Sequence, residues 1–82
     1  MKLRLHILQA LRSMGEHLCP EPTLRVQIQV TASPTPTTVE ITEALVALRD
    51  ADLAIDIRDE LTGDVKWAIT DKGRLKLSER RM

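Results

Sequence analysis

The feature that most constrains this chain is a change of apolar period near residue 53. Through "TVEITEALVALRDADL", Ile41, Ala44, Leu45 and Leu48 recur at three- and four-residue spacing and share one helical face. Val39, Thr42, Glu43, Val46, Arg49 and Asp50 share the other. The period then becomes two. In "LAIDIR", Leu53, Ile55 and Ile57 alternate with Ala54, Asp56 and Arg58; in "VKWAIT", Val65, Trp67 and Ile69 alternate with Lys66, Ala68 and Thr70. Between them, "DELTGD" offers Gly63 for the positive φ of a short hairpin loop. A lone two-stranded hairpin is unstable in water, so its apolar face must lie on the helices. That reasoning places Ile55, Trp67 and Ile69 in one core with Ile7, Leu11, Leu45 and Leu48.

The second strand runs into "TDKGRLKL". Thr70 is placed to cap a short helix over 71–79, and Asp71 supplies the acid that a helix amino terminus favours. Gly73 is a poor helix former, so it implies close approach to another backbone, expected to be the first helix. Leu75 is expected to point inward.

Upstream, "LRLHILQALRSMGEHL" reads as an amphipathic helix over 2–15. Leu3, Ile7, Ala10, Leu11, Met14 and Leu18 fall in one sector, and Gly15 is placed as a left-handed cap. Leu8 sits at the margin of that sector and Leu5 outside it, which makes the pair candidates for a dimer seam. "CPEPTLRVQIQVTA" supports two readings. Leu24, Val26, Ile28 and Val30 alternate as in a strand, yet Pro22 also suits a helix start, with Leu24 and Ile28 on one face. "SPTPTT" is a stiff loop whose Thr38 is expected to cap the helix over 38–52.

Trp67 is the sole aromatic among 82 residues, so one small domain with an aliphatic core is expected. The lone Cys19 excludes an internal disulfide and fits a reducing compartment, where it reads as a small buried hydrophobe. No apolar run approaches a membrane span, and charges interrupt the amino terminus where a signal peptide would be apolar. A soluble cytoplasmic protein is the expectation. No serine has a nucleophile-elbow context and no glycine-rich loop exists to cradle phosphate; His17 and Cys19 have no second metal-binding pair. Neither an enzyme nor a cofactor is expected.

The order helix, short element, helix, hairpin, short helix, with "WAITDKGRLKL" after the hairpin, resembles the winged-helix domains of bacterial transcription regulators, the PadR and MarR groups in particular. In those families a Y-x-L-T-x-x-G-R stretch leaves the wing, and Trp67, Ile69, Thr70, Gly73 and Arg74 occupy the matching positions. "ALVALRDADLAID" is similar to their aL-x-x-L-e-x-x-G-l-i pattern, with Ala51-Asp52 where a glycine is common. The match covers roughly residues 36–77. It implies an α+β winged helix: a three-helix bundle, a two-stranded wing over 53–70 and a short final helix. It also implies that 22–31 is the second helix of a helix-turn-helix. In this resemblance the outer face of helix 38–52 reads double-stranded DNA and the loop 59–64 is the wing tip. Arg49 would read a base, Thr42 would sit beside it and Thr38 near the backbone.

The distribution of charge opposes the ordinary form of that mode. Residues 35–64 carry two bases against eight acids, whereas residues 65–82 carry six bases against two acids. Affinity for DNA rests on Lys and Arg neutralising phosphates. The reading face has Arg49 against Glu43 and Asp50, and the wing tip has Asp59, Glu60 and Asp64 with no base. Lys72, Arg74 and Lys76, with Lys2, Arg4, Arg12, Arg80 and Arg81, lie on the last and first helices instead. They form either a phosphate-binding patch or an ordinary solvated face. Two functions from different classes follow: a DNA-binding regulator, working as a homodimer, and a protein-interaction module using Leu5, Leu8, Val39 and Val46.

Overall fold

The structure, a computed structural model, describes residues 3–15 and 17–80. The elements follow in the order α1 (Leu3–Ser13), β1 (Cys19–Pro20), α2 (Glu21–Thr31), α3 (Thr38–Asp50), β2 (Ala54–Arg58), β3 (Val65–Ile69) and α4 (Asp71–Arg80). The three strands form one antiparallel sheet of order β1-β3-β2. The third strand, β1, is an addition to the expected two-stranded wing; it pairs Cys19 with Trp67 and Pro20 with Lys66. No helix among the described residues is long and apolar enough to cross a membrane.

The ambiguous segment is helical. As a strand it would have put Leu24, Val26, Ile28 and Val30 on one face. As α2 it buries only Leu24 and Ile28, both fully, and leaves Val26 and Val30 exposed. Pro22 sits in its first turn, where a missing N–H leaves no bond unmade. Helix α1 lies against α2, α3, α4 and β3, so more of its circumference is covered than a single stripe requires. That corrects the reading of Leu8 and Leu5 as an open seam: Leu8 is buried in the core beside Ile7 and Leu11, and Leu5 is half-buried against it. Leu18 leaves the apolar sector because α1 stops at Ser13 and Gly15 turns the chain at φ 67°.

Helix α3 is fixed at both ends. Thr37, and not Thr38, is its cap: Thr37 Oγ1 accepts from the Glu40 N–H at 3.1 Å while Glu40 Oε1 accepts from the Thr37 N–H at 3.0 Å. This reciprocal pair is a capping box, and it displaces the expected cap by one residue. At the other end Leu53 N–H reaches the Leu48 carbonyl at 2.9 Å and Asp52 takes φ 61°. Asp52 thus adopts the left-handed conformation for which glycine is the usual choice, and aspartate tolerates it better than most residues.

That turn resets the register of the hairpin. Leu53 belongs to the turn, and β2 starts at Ala54, which faces Ile69; Asp56 then faces Trp67 and Arg58 faces Val65. Facing residues share one side of a sheet, so the inner face carries Ala54, Asp56 and Arg58. Ile55, expected in the core, is 44% exposed on the outer face, as is Ile57. On the inner face β3 buries Trp67 and Ile69, and β2 buries only Ala54, opposite Ile69.

Helix α4 begins as the sequence suggests, with Gly73 N–H on Thr70 Oγ1 at 3.0 Å. Gly73 does approach another backbone closely, but the partner is Leu53 and not α1. A Cβ there would overlap the Leu53 carbonyl oxygen and come within 2.7 Å of Ile69 Cγ1. Leu77 is the residue α4 buries; Leu75, expected inward, is 60% exposed.

Candidate nucleic-acid interface

The outer face of α3 runs beside the hairpin, with a groove of about 170 Å³ between them. Its lining includes Arg25, Arg49 and Arg58 against Glu21 and Asp56, so bases outnumber acids here, and Arg49 and Arg58 are the two bases of the acidic stretch 35–64. Two polar chains cross it. In the first, the indole N–H of Trp67 donates to Glu21 Oε1 at 3.0 Å, and Glu21 Oε2 lies 3.7 Å from Arg25 Nε. Arg25 in turn donates to Thr42 Oγ1 at 2.8 Å and to the Thr38 carbonyl at 3.3 Å. One guanidinium therefore joins α2 to the first two turns of α3, and one carboxylate joins α2 to β3. In the second chain Arg49 Nη1 donates to Asp56 Oδ2 at 3.2 Å, tying α3 to β2, and Arg49 Nε lies 3.9 Å from Asp50.

Thr42 and Arg49 thus lie along one groove, with Thr38 presenting its carbonyl to Arg25. Val39 (65% exposed) and Val46 (37%) are open beside them. Lys72, Arg74 and Lys76 lie on α4, which packs on α1 and forms no wall of the groove. Arg74 donates to the Gly15 carbonyl at 3.2 Å and pairs with Asp71, while Lys76 pairs with Glu79. Lys2 and Arg81, assigned to the same basic surface, lie outside the described residues, as does the Arg80 side chain.

The wing tip spends one of its acids on its own folding. Asp59 Oδ1 accepts from the N–H groups of Leu61 and Thr62 at 2.8 and 3.2 Å, and Gly63 closes the loop at φ 78° with its N–H on the Asp59 carbonyl. Those two amide donors hold the Asp59 carboxyl below its ordinary range. Burial pushes the Cys19 thiol up, and the side chain lies wholly inside the core.

Arg25, Glu21, Asp56 and Arg58 escape a reading of the sequence as a site. Once residues 22–31 are helical, Glu21 and Arg25 stand one turn apart and their pairing is legible. The inward turn of Asp56 and Arg58 has no such signal, because the alternation points to the opposite face.

No protein-family model and no curated protein matches the chain. Solved structures do. RosR of H. salinarum superposes with a TM-score of 0.77 at 16% identity, over 99% of this chain and 70% of RosR. ZitR of Lactococcus lactis gives 0.68 at 22% identity, over 99% of this chain and half of ZitR. TM0937, a conserved protein of unknown function described as a potential transcriptional factor, gives 0.71 at 18% identity, over 96% of this chain and 71% of its own. With the helix-turn-helix of α2 and α3 followed by the hairpin and α4, these likenesses establish the fold as a winged helix.

Proposed function

We propose that this chain is a DNA-binding transcription regulator of the PadR/MarR-like kind, a bacterial cytoplasmic protein that works as a homodimer. The observation that carries the reading is the groove between α3 and the hairpin, where Arg25 of α2 joins Arg49 and Arg58, the two bases of the acidic stretch 35–64. Phosphate and base edges are both met by guanidinium groups, and a bidentate arginine is the commonest reader of guanine. Arg49 is the base-reading residue in this account, with Thr42 beside it and Thr38 near the backbone; to reach a base it gives up Asp56. Lys72, Arg74 and Lys76 supply phosphate contacts that carry no sequence preference. No reaction is assigned to the protein.

Fluorescence anisotropy with mixed duplexes at about 50 mM salt, where phosphate contacts are strong, tests the reading. Binding is expected, with log affinity falling linearly against log salt. Replacing Arg49 by alanine is expected to cost about 1–3 kcal/mol and to relax preference at one position. Replacing Lys72, Arg74 or Lys76 is expected to weaken every sequence alike and to flatten the salt dependence. No complex at that salt overturns the reading.

A second reading has its own observation: Val39 and Val46 lie open on the face that would meet DNA. They fit a protein surface better than a phosphate backbone, and an interaction module without DNA binding would use them. Val46→Asp would then abolish partner capture while the fold persists.

A further inference from the structure

In the order β1-β3-β2 the far side of β2 pairs with no strand among the described residues, so its outward N–H and C=O groups lack ladder partners. Edge strands are commonly blunted by shortness, a proline, a lysine, inward-pointing charges, a bulge or a covering element. The five-residue β2, Ala-Ile-Asp-Ile-Arg, has no proline and no lysine, and its register runs from Ala54 opposite Ile69 to Arg58 opposite Val65 without a slip. Its guards are its length and the inner-face Asp56 and Arg58, whose opposite signs repel a like charge but suit each other. Ile55 through Arg58 are all exposed.

We propose that a second copy of this chain pairs with this edge, antiparallel about a two-fold axis at Ile57, joining two three-stranded sheets into one. The proposal gives the homodimer reading a specific surface and does not rest on DNA binding. Charge selects both the occupant and the register. With the outer faces of both copies on the same side, a two-fold at Asp56 sets two carboxylates against each other, which is destabilising. A two-fold at Ile55 sets Asp56 opposite Ala54 and leaves Arg58 beyond the ladder. A two-fold at Ile57 sets Asp56 opposite the second copy's Arg58, and Arg58 opposite the second copy's Asp56, with the two Ile57 side chains adjacent on the outer face. Arg58 makes no ion pair among the described residues, and Asp56 gives only Oδ2 to Arg49. The edge is therefore complementary to itself, as an isologous contact must be. Only Asp56, Ile57 and Arg58 of each β2 pair in this register. A ladder of three residues with one isoleucine a side falls well below the roughly 800 Å² per partner of a standard interface, so the dimer is weak.

Sedimentation velocity on the full chain, up to about 1 mM where weak complexes fill, is expected to give a reversible monomer–dimer equilibrium. Asp56→Arg and Arg58→Asp are each expected to weaken it at least tenfold, since each sets like charges across the seam. Mixing the two variants is expected to restore it, because one then presents only bases and the other only acids. Arg58→Asp leaves the Arg49–Asp56 pair intact, and Trp67 fluorescence at low concentration verifies folding of each variant. A monomer at every concentration overturns this inference together with the homodimer reading. A dimer that survives Arg58→Asp, or a mixture no more dimeric than its components, overturns the edge pairing alone.

Discussion

Three single residues carry consequences that their neighbours do not share. Gly73 faces a carbonyl oxygen, and a backbone group cannot swing aside as a side chain end can. Gly73→Ala is expected to cost about 3 kcal/mol, the upper end of over-packing penalties, measured as a fall in urea midpoint at unchanged slope. Cys19 is fully buried with its thiol pushed up, so its thiolate is scarce as well as hidden. Alkylation of the native protein is expected to proceed only as fast as the molecule opens, and to match the free cysteine rate in denaturant. Asp59 is depressed in the folded wing by two amide donors, so its contribution is complete above the ordinary aspartate value of about 3.9 and is lost as pH falls through its lower folded value. The Leu61 and Thr62 amide resonances are expected to report that transition together, and Asp59→Ala to abolish it.

At the scale of elements, α3 is the best defined piece of the chain. Its capping box satisfies amino-terminal groups that would otherwise lack partners, and its left-handed exit at Asp52 satisfies carboxy-terminal ones. Thr37→Ala is expected to cost about 0.5–2 kcal/mol and to raise amide exchange in the first turn, while Thr38→Ala leaves the cap in place. The capping choice is legible in the spacing: Glu40 stands three residues past Thr37, as a capping box requires, whereas Ile41 holds that place past Thr38. The register of β2 was not legible at all from alternation, because Leu53 belongs to a turn and contributes its side chain to the core before the strand begins.

For the whole molecule, the core is aliphatic and small, so single truncations weigh heavily. Leu48 is buried between α3 and the rest of the core, and Leu48→Ala is expected to cost about 2–5 kcal/mol against a total of about 5–15. Ile55→Ala, measured at micromolar concentration, is expected to stay within about 0.5 kcal/mol because the residue lies on the outer face. A reversed order of those two values would contradict the inward face of β2 described above. The helices over residues 3–13 and 38–50, the hairpin, the cap at Thr70 and the burial of Cys19 were determined by the sequence alone, since each depends on local period, turn chemistry or side-chain volume. The candidate reading residues Thr42 and Arg49 were legible for the same reason, being fixed by helical period. The partners of those residues were decided by the tertiary structure. Arg25 meets Thr42 from another helix, and Asp56 meets Arg49 from a strand whose inner face is set by its register with β3. Helix was chosen over strand for α2 on similar grounds, because an alternating apolar run satisfies both periods until another surface determines which two of its four side chains can be buried.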